Sequence, residues 1–272
     1  MIDTKLQQEL RQKYNQDGST LRRAQLRMTE MLVFLDKVCS KYNLRYWIDS
    51  GTLLGACRHG GFIPWDDDTD VCMPLDDLHK LRKIMTTEHL SDEFVLQTPK
   101  NDKNYLRIEW CVLRDLKSEY IQDRTFHKIQ KYRGLQVDVF PVEVGTNSVL
   151  MYILNAYQHK LMDKLINSQS ISPSLSIPII KGLRKLETSV LIPLCRTFNK
   201  KHSDTFSYAY GLGFYNRHKV SELYPLQKIS FEGHMLNAPS NTDEYLKDLY
   251  GDWTKIPSEN EIKTHEALIR FF

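Results

Sequence analysis

The chain has 272 residues, 41% of them hydrophobic and 26% charged, the composition of an ordinary globular protein rather than a disordered or fibrous one. Its net charge of +3, from 37 basic and 34 acidic residues, is too small to point to nucleic acid as a partner. Five scattered cysteines (Cys39, Cys57, Cys72, Cys111, Cys195) without CxxC spacing give no sign of a disulfide framework or a zinc site and fit a reducing cytoplasm; no run reaches the ~18 apolar residues of a membrane span, and the opening MIDTKLQQEL is too polar for a secretory signal.

Residues 20–42 carry Leu21, Met28, Met31, Leu32, Leu35, Val38, Cys39 and Tyr42 at helical spacings, which predicts an amphipathic packing helix. RYWID, 45–49, predicts a short aromatic-rich strand, and Gly51-Thr52 a turn into a brief helix ending near Arg58. A glycine-led turn of this kind leaves backbone N–H groups facing a phosphate. Residues 68–73 alternate polar and apolar as a strand does, 75–88 have a helical pattern, and 94–97, 106–114 and 135–140 predict further strands in meander-like succession. In the last of these Leu135, Val137 and Val139 share one face, and Gln136, Asp138 and Phe140 the other.

From 148 to about 202 the pattern is helical, broken at Pro173, Pro178 and Pro193; a hairpin near 228–236 and a helix over 243–250 follow. The fold class expected is α+β: a mixed-sheet catalytic core flanked by helices over residues 1–146, and a mainly helical portion with a hairpin over 147–272 that completes the cleft.

The densest acidic cluster is WDDDTD, 65–70, and on a strand the period of two sends Asp66, Asp68 and Asp70 to one side. Such a cluster is either a solvated acidic turn or a cation site, and hard oxygen donors without imidazole or thiolate select magnesium or manganese. Asp138 is polar and alone in the apolar run GLQVDVFP, where a buried carboxylate calls for a metal or for the role of a base.

SGTLLGACRHGGFIPWDDDTD, 50–70, closely resembles the signature of the LicD family, which also includes the fukutin-related proteins. LRD at 113–115, RGLQVDVFP at 133–141 and YLKDLYGDW at 245–253 resemble later motifs of that family, in order. The resemblance implies a nucleotidyltransferase-like fold in which Gly51-Thr52 precedes the metal-binding Asp68 and Asp70, and Asp138 comes from a neighbouring strand as third ligand or as base. It implies magnesium-dependent transfer of phosphocholine from CDP-choline to a hydroxyl of a glycan or lipid-linked glycan, with release of cytidine monophosphate. The alternatives are an alditol phosphate from its CDP donor, or nucleotidyl transfer to a sugar phosphate.

Gly51 and Thr52 are expected to offer donors to the diphosphate, with Arg58, His59, Arg114, Arg133 and Lys247 as further candidates. A choline headgroup wants aromatic faces, and Trp47, Trp65 and Trp110 are the candidates for them. Residues 160–201 hold eight basic residues against two acidic ones. With IPIIKGLRK and VLIPL, that segment reads either as a peripheral contact with the inner face of the cytoplasmic membrane or as a helical subdomain with a solvated basic face.

Overall fold

The computed structural model describes residues 3–106, 110–121, 125–146, 172–197, 201–209, 218–262 and 268–272, with isolated positions between 153 and 164. Helix α1 (Thr4–Tyr14) starts at Asp3, whose carboxylate accepts the N–H groups of Lys5 and Leu6. Helix α2 (Thr20–Lys41) is the packing helix expected over 20–42, capped by Ser19. Its Met28, Met31, Leu32 and Leu35 are fully buried, each stabilising the fold by roughly 1.5–3 kcal/mol relative to exposure.

Strand β1 (Trp47–Ile48) leads into helix α3 (Ser50–His59), which ends where Gly60 takes φ +71°. Then come β2 (Asp70–Pro74), α4 (Leu75–Thr87), β3 (Phe94–Gln97), β4 (Cys111–Asp115), β5 (Ser118–Ile121), the short α5 (Thr125–Lys128) and the long β6 (Gln136–Thr146). Helix α6 (Pro173–Leu186) continues through a π turn (Glu187–Leu191) into α7 (Ile192–Thr197). Strands β7 (Lys201–Tyr208) and β8 (His218–Lys219), the one-turn α8 (Val220–Leu223), the hairpin β9 (Gln227–Phe231) and β10 (His234–Ala238), α9 (Thr242–Tyr250) and β11 (Leu268–Phe271) complete the order.

The α+β class is as expected, but the strands are not a meander. The main sheet runs β1-β2-β6-β4-β3, so β6 inserts between strands that precede it in the chain and lies parallel to β2. Being long, β6 pairs with β4 along its first half and with β7 along its second, so the C-terminal portion adds β7 and β8 to the same sheet. Strand β11 pairs with β5, a contact between distant parts of the chain.

Three local expectations are corrected. The acidic strand begins at Asp70, not at 68, because residues 66–69 descend to it as irregular chain. The helix passes Pro178 and Pro193 rather than breaking, and the wider π turn directly before α7 relieves the crowding that the Pro193 ring would cause. Helical structure stops before Lys201, where β7 starts; of the strand expected over 106–114, residues 107–109 lie outside the described residues.

Period-two alternation gives β6 two unlike faces. Leu135, Val137 and Val139 are fully buried, beside Val71, Met73, Cys111 and Leu113, with α2 and α4 packed against the sheet. Gln136, Asp138 and Phe140 stay half-buried on the other face. The hairpin tip, with Glu232 and Gly233 both at positive φ, fixes the loop after α3: Glu232 pairs with Arg22 at 2.7 Å and accepts the Phe62 N–H at 3.1 Å. A side chain at Gly61 would collide with that carboxylate, at 2.2 Å from Oε1.

Candidate active site

Three aspartates stand at one level on the polar face of the sheet. Asp70 and Asp138 are register partners on the parallel strands β2 and β6, and Asp49, directly after β1, donates its N–H to the Asp70 carbonyl at 3.0 Å. Directly opposite residues of paired strands present their side chains on the same face.

Around Asp70 the neighbours are charges. Burial, then Asp68, Asp138, Asp49 and Asp66, push the Asp70 carboxyl well above the ordinary carboxylate range. Asp66 is raised in the same way, by burial first and then by Asp68, with which it shares a hydrogen bond. Its carboxylate lies over the start of α3, where a Cβ on Gly51 would come within 2.8 Å of Asp66 Oδ2. A side chain at this position would have to push that carboxylate aside. Oxygen donors that repel one another on a half-buried floor are the donor set that a hard divalent cation fits.

Around Asp49 the neighbours are hydroxyls. This fully buried carboxylate accepts Tyr245 Oη at 2.6 Å, Tyr208 Oη at 2.5 Å and Ser50 Oγ at 3.0 Å. Burial first, and then the Asp49 charge, raise the pKa of both phenols, so both remain donors. Ser50, at φ +47°, holds the strained turn into α3. Thr52 Oγ1 accepts the Asp70 N–H at 2.9 Å and locks the helix to the acidic strand.

Asp138 is held from the opposite side. Gln136 Nε2 donates to Asp138 Oδ2 at 3.0 Å, Arg114 Nη1 donates to Gln136 Oε1 at 2.6 Å, and Arg114 Nε to Gln97 Oε1 at 2.8 Å. Arg114 is therefore buried behind the site and supports it through Gln136.

Several candidate residues are placed elsewhere. Arg58 is buried, its Nη1 donating to the carbonyls of Trp253 and Lys255 at 3.3 and 2.9 Å, so its fork fastens the loop after α9. His59, which accepts from Arg58 Nε and bonds Gln7, is held neutral by burial and by the Arg58 charge, its pKa lowered to about 3. Arg133 pairs with Glu119 at 2.7 Å, and Lys247 with Asp243 and Glu244 on the exposed side of α9. Asp67 turns inward to accept the Tyr120 hydroxyl at 2.9 Å.

The three tryptophans separate as well. Trp47 is fully buried, donating to Tyr245 Oη at 3.2 Å, and Trp65 packs edge-on against Tyr14 and His59. Trp110 alone joins the polar face. Its ring meets Phe140 at 5.6 Å and 55°, and Phe140 meets Tyr208 at 5.9 Å and 72°, so three aromatic rings form an angled wall one strand step beyond Asp138.

Sequence reasoning missed Asp49, Gln136, Tyr208, Tyr245 and Tyr250. The YLKDLYGDW motif contained a signal for two of them: Tyr245 clamps Asp49, and the Tyr250 hydroxyl reaches Ser50 among the carboxylates, where burial and then Asp49, Asp70 and Asp66 raise its pKa.

A family model described as LicD/FKTN/FKRP, nucleotidyltransferase domain, matches residues 43–180. The chain is 26% identical to the lipopolysaccharide cholinephosphotransferase LicD of Haemophilus influenzae over 263 residues, covering 90% of this chain and 96% of that protein. An uncharacterised protein of Rickettsia prowazekii is 27% identical over 187 residues, 62% of this chain and 66% of its own. Over 45 residues, 16% of this chain and 9% of the relative, the identity to the human ribitol 5-phosphate transferase FKRP is 44%.

Proposed function

The chain belongs to the LicD family, whose nucleotidyltransferase domain it carries over residues 43–180, and from that premise we propose that it is a phosphotransferase moving phosphocholine from CDP-choline to a hydroxyl of a cell-surface glycan precursor. The observation that carries this reading is the in-register pair Asp70 and Asp138, crowded by Asp66 and Asp68 and bordered by the Trp110, Phe140 and Tyr208 rings.

Asp68, Asp70 and Asp138 would hold magnesium, or manganese in its place. The ion, when bound, supplies positive charge for the donor's diphosphate and its departing nucleotide oxygen. The chain's own groups do the rest. The first turn of α3, which Asp49 does not cap, presents backbone N–H groups at the Ser50–Gly51–Thr52 turn to a phosphate, and the Tyr250 hydroxyl stands at the same turn. Gln136 fixes the orientation of Asp138, which serves as third ligand or accepts the proton of the attacking hydroxyl. Thr52 and Asp49 keep helix and strand at one spacing, so the reacting groups meet without reorganisation of the floor.

The aromatic wall supports a quaternary ammonium as the transferred terminus. Rings set at steep angles present more than one face to a single cation, and Phe140 stands two residues beyond Asp138, roughly 6–7 Å along the strand. Phosphocholine joins its phosphate and its ammonium through one oxygen and two carbons, a span of the same order. A second reading, transfer of ribitol or glycerol phosphate from a CDP donor, is favoured by the higher identity to FKRP over its matched stretch.

The test is release of cytidine monophosphate from CDP-choline, CDP-ribitol and CDP-glycerol by the purified protein with magnesium and a crude glycan extract, with Asp70→Asn as control. Release from CDP-choline alone, lost in the variant, is the expected result. Release only from an alditol donor would replace the transferred group and keep the site, and pyrophosphate release from a nucleoside triphosphate would replace the reaction.

A further inference from the structure

The continuous helical stretch from Pro173 to Thr197 has two apolar faces, and among the described residues only one of them is packed upon. Inward, Ile180 is fully buried, with Ile177 and Leu183, against Leu106 and Ile129. Outward, Leu175, Ile179, Leu186, Val190 and Leu194 are each between 49% and 65% exposed, at successive spacings of four, seven, four and four that place them along one side of the helix. Ile153 and Tyr157, in the preceding segment, are more exposed than most of these. Seven large apolar side chains exposed within one segment exceed the scattered singles of an ordinary monomer surface.

Among the described residues the exposed charge of this segment is basic. Lys181 and Lys185 are exposed on the same helix, on the side that neither the outward stripe nor Ile180 occupies, and Lys160 and Lys164 are exposed beside Ile153 and Tyr157 in the chain. Among the described residues between 153 and 197, the one acidic side chain, Glu187, is buried against Arg184 at 3.3 Å. No helix among the described residues is long and apolar enough to cross a membrane. A second copy of the chain is a poor occupant, because a two-fold contact would set lysines against lysines.

We propose that the outward face of this helix lies on an anionic bilayer surface, its aliphatic side chains at the acyl boundary and its lysines among the lipid phosphates. Both halves of the observation are then satisfied together: the apolar stripe leaves water, and the basic flank meets opposite charge. Leu106 and Ile129 of the nucleotidyltransferase domain sit on the buried side of the same helix, so docking would hold the enzyme at the surface where lipid-linked acceptors are presented. The proposal does not depend on which group the enzyme transfers.

The experiment is co-sedimentation of the full chain with vesicles of phosphatidylglycerol and phosphatidylethanolamine, against pure phosphatidylcholine, at low and high salt. The expected result is binding to the anionic vesicles that salt weakens, with little on phosphatidylcholine. Lys181→Ala/Lys185→Ala should weaken it roughly fivefold per lysine removed, and Ile179→Ser/Val190→Ser should abolish it. All four positions are exposed, so thermal unfolding should not move and the variants remain folded controls. The idea is overturned if the wild-type chain stays in the supernatant, if the apolar variant binds as well as wild type, or if the wild-type chain is a dimer that Ile179→Ser/Val190→Ser converts to a monomer, which would make the face a contact between copies.

Discussion

Two carboxylates one strand apart live in opposite environments. On the β1 side, Asp49 is surrounded by hydroxyl donors from Tyr208, Tyr245 and Ser50; on the β6 side, Asp70 is surrounded by Asp66, Asp68 and Asp138. Side-chain type, sheet face and level are shared, so the difference lies entirely in what the rest of the chain brings up to each. A carboxylate with its acceptor sites filled is a structural pin, whereas one pressed among like charges is poised to take a cation or a proton.

The largest break in that comparison is expected from Asp70→Asn. Removing one charge of the crowded set should lower cytidine monophosphate release by roughly 10³-fold or more, since the proposed cation site would lose a ligand. The same change relieves repulsion, so the variant should melt at a higher temperature than wild type when both are measured without divalent cations. Loss of activity together with loss of stability would show that Asp70 is pinned as Asp49 is.

Asp49→Ala should do the reverse of Asp70→Asn on stability. It leaves the buried Tyr208 and Tyr245 hydroxyls without their acceptor, a cost of about 2–4 kcal/mol in unfolding free energy by denaturant titration. Asp49→Asn keeps an acceptor oxygen and should cost about half of that. Equal melting of wild type and Asp49→Ala would sink the clamp.

A pH series sharpens the same contrast. The raised carboxyls of Asp66 and Asp70 favour the folded state fully below their unfolded-state pKa, and that contribution is lost as pH rises through the raised folded values. Without divalent cations, the melting temperature should therefore fall as pH rises above the ordinary carboxylate range, and the increment produced by magnesium should grow in the same direction. A magnesium increment independent of pH would place the ion away from these carboxylates.

What could be read in the sequence follows the range of the interactions involved. The β6 alternation put Asp138 and Phe140 on the polar face because the signal is local, and the 20–42 helix appeared from its spacing for the same reason. Asp49 could not be picked out: its row is set by a two-residue strand, and its phenol partners lie 159 and 196 residues downstream. Arg58 has the right charge between the turn and the acidic cluster, yet which way a helical arginine faces depends on the loop after α9, and that loop took it. Asp68 was expected on the strand because alternation continues past the point where backbone pairing begins.

The smallest effect worth measuring concerns the support of Asp138. Gln136→Met removes the amide that donates to Asp138 Oδ2 and the oxygen that receives Arg114, while roughly keeping side-chain volume on a half-buried position. Stability should move by only about 1 kcal/mol. If Gln136 aligns Asp138 for the reacting groups, turnover should fall roughly tenfold with little change in KM, because orientation at the reacting centre acts on the transition state more than on donor binding. Gln136→Glu should be worse than Gln136→Met: it keeps an acceptor for Arg114 but sets a fifth carboxylate beside Asp138, extending the charged side of the comparison by one residue, whereas a variant as active as wild type would leave Asp138 positioned by the strand alone.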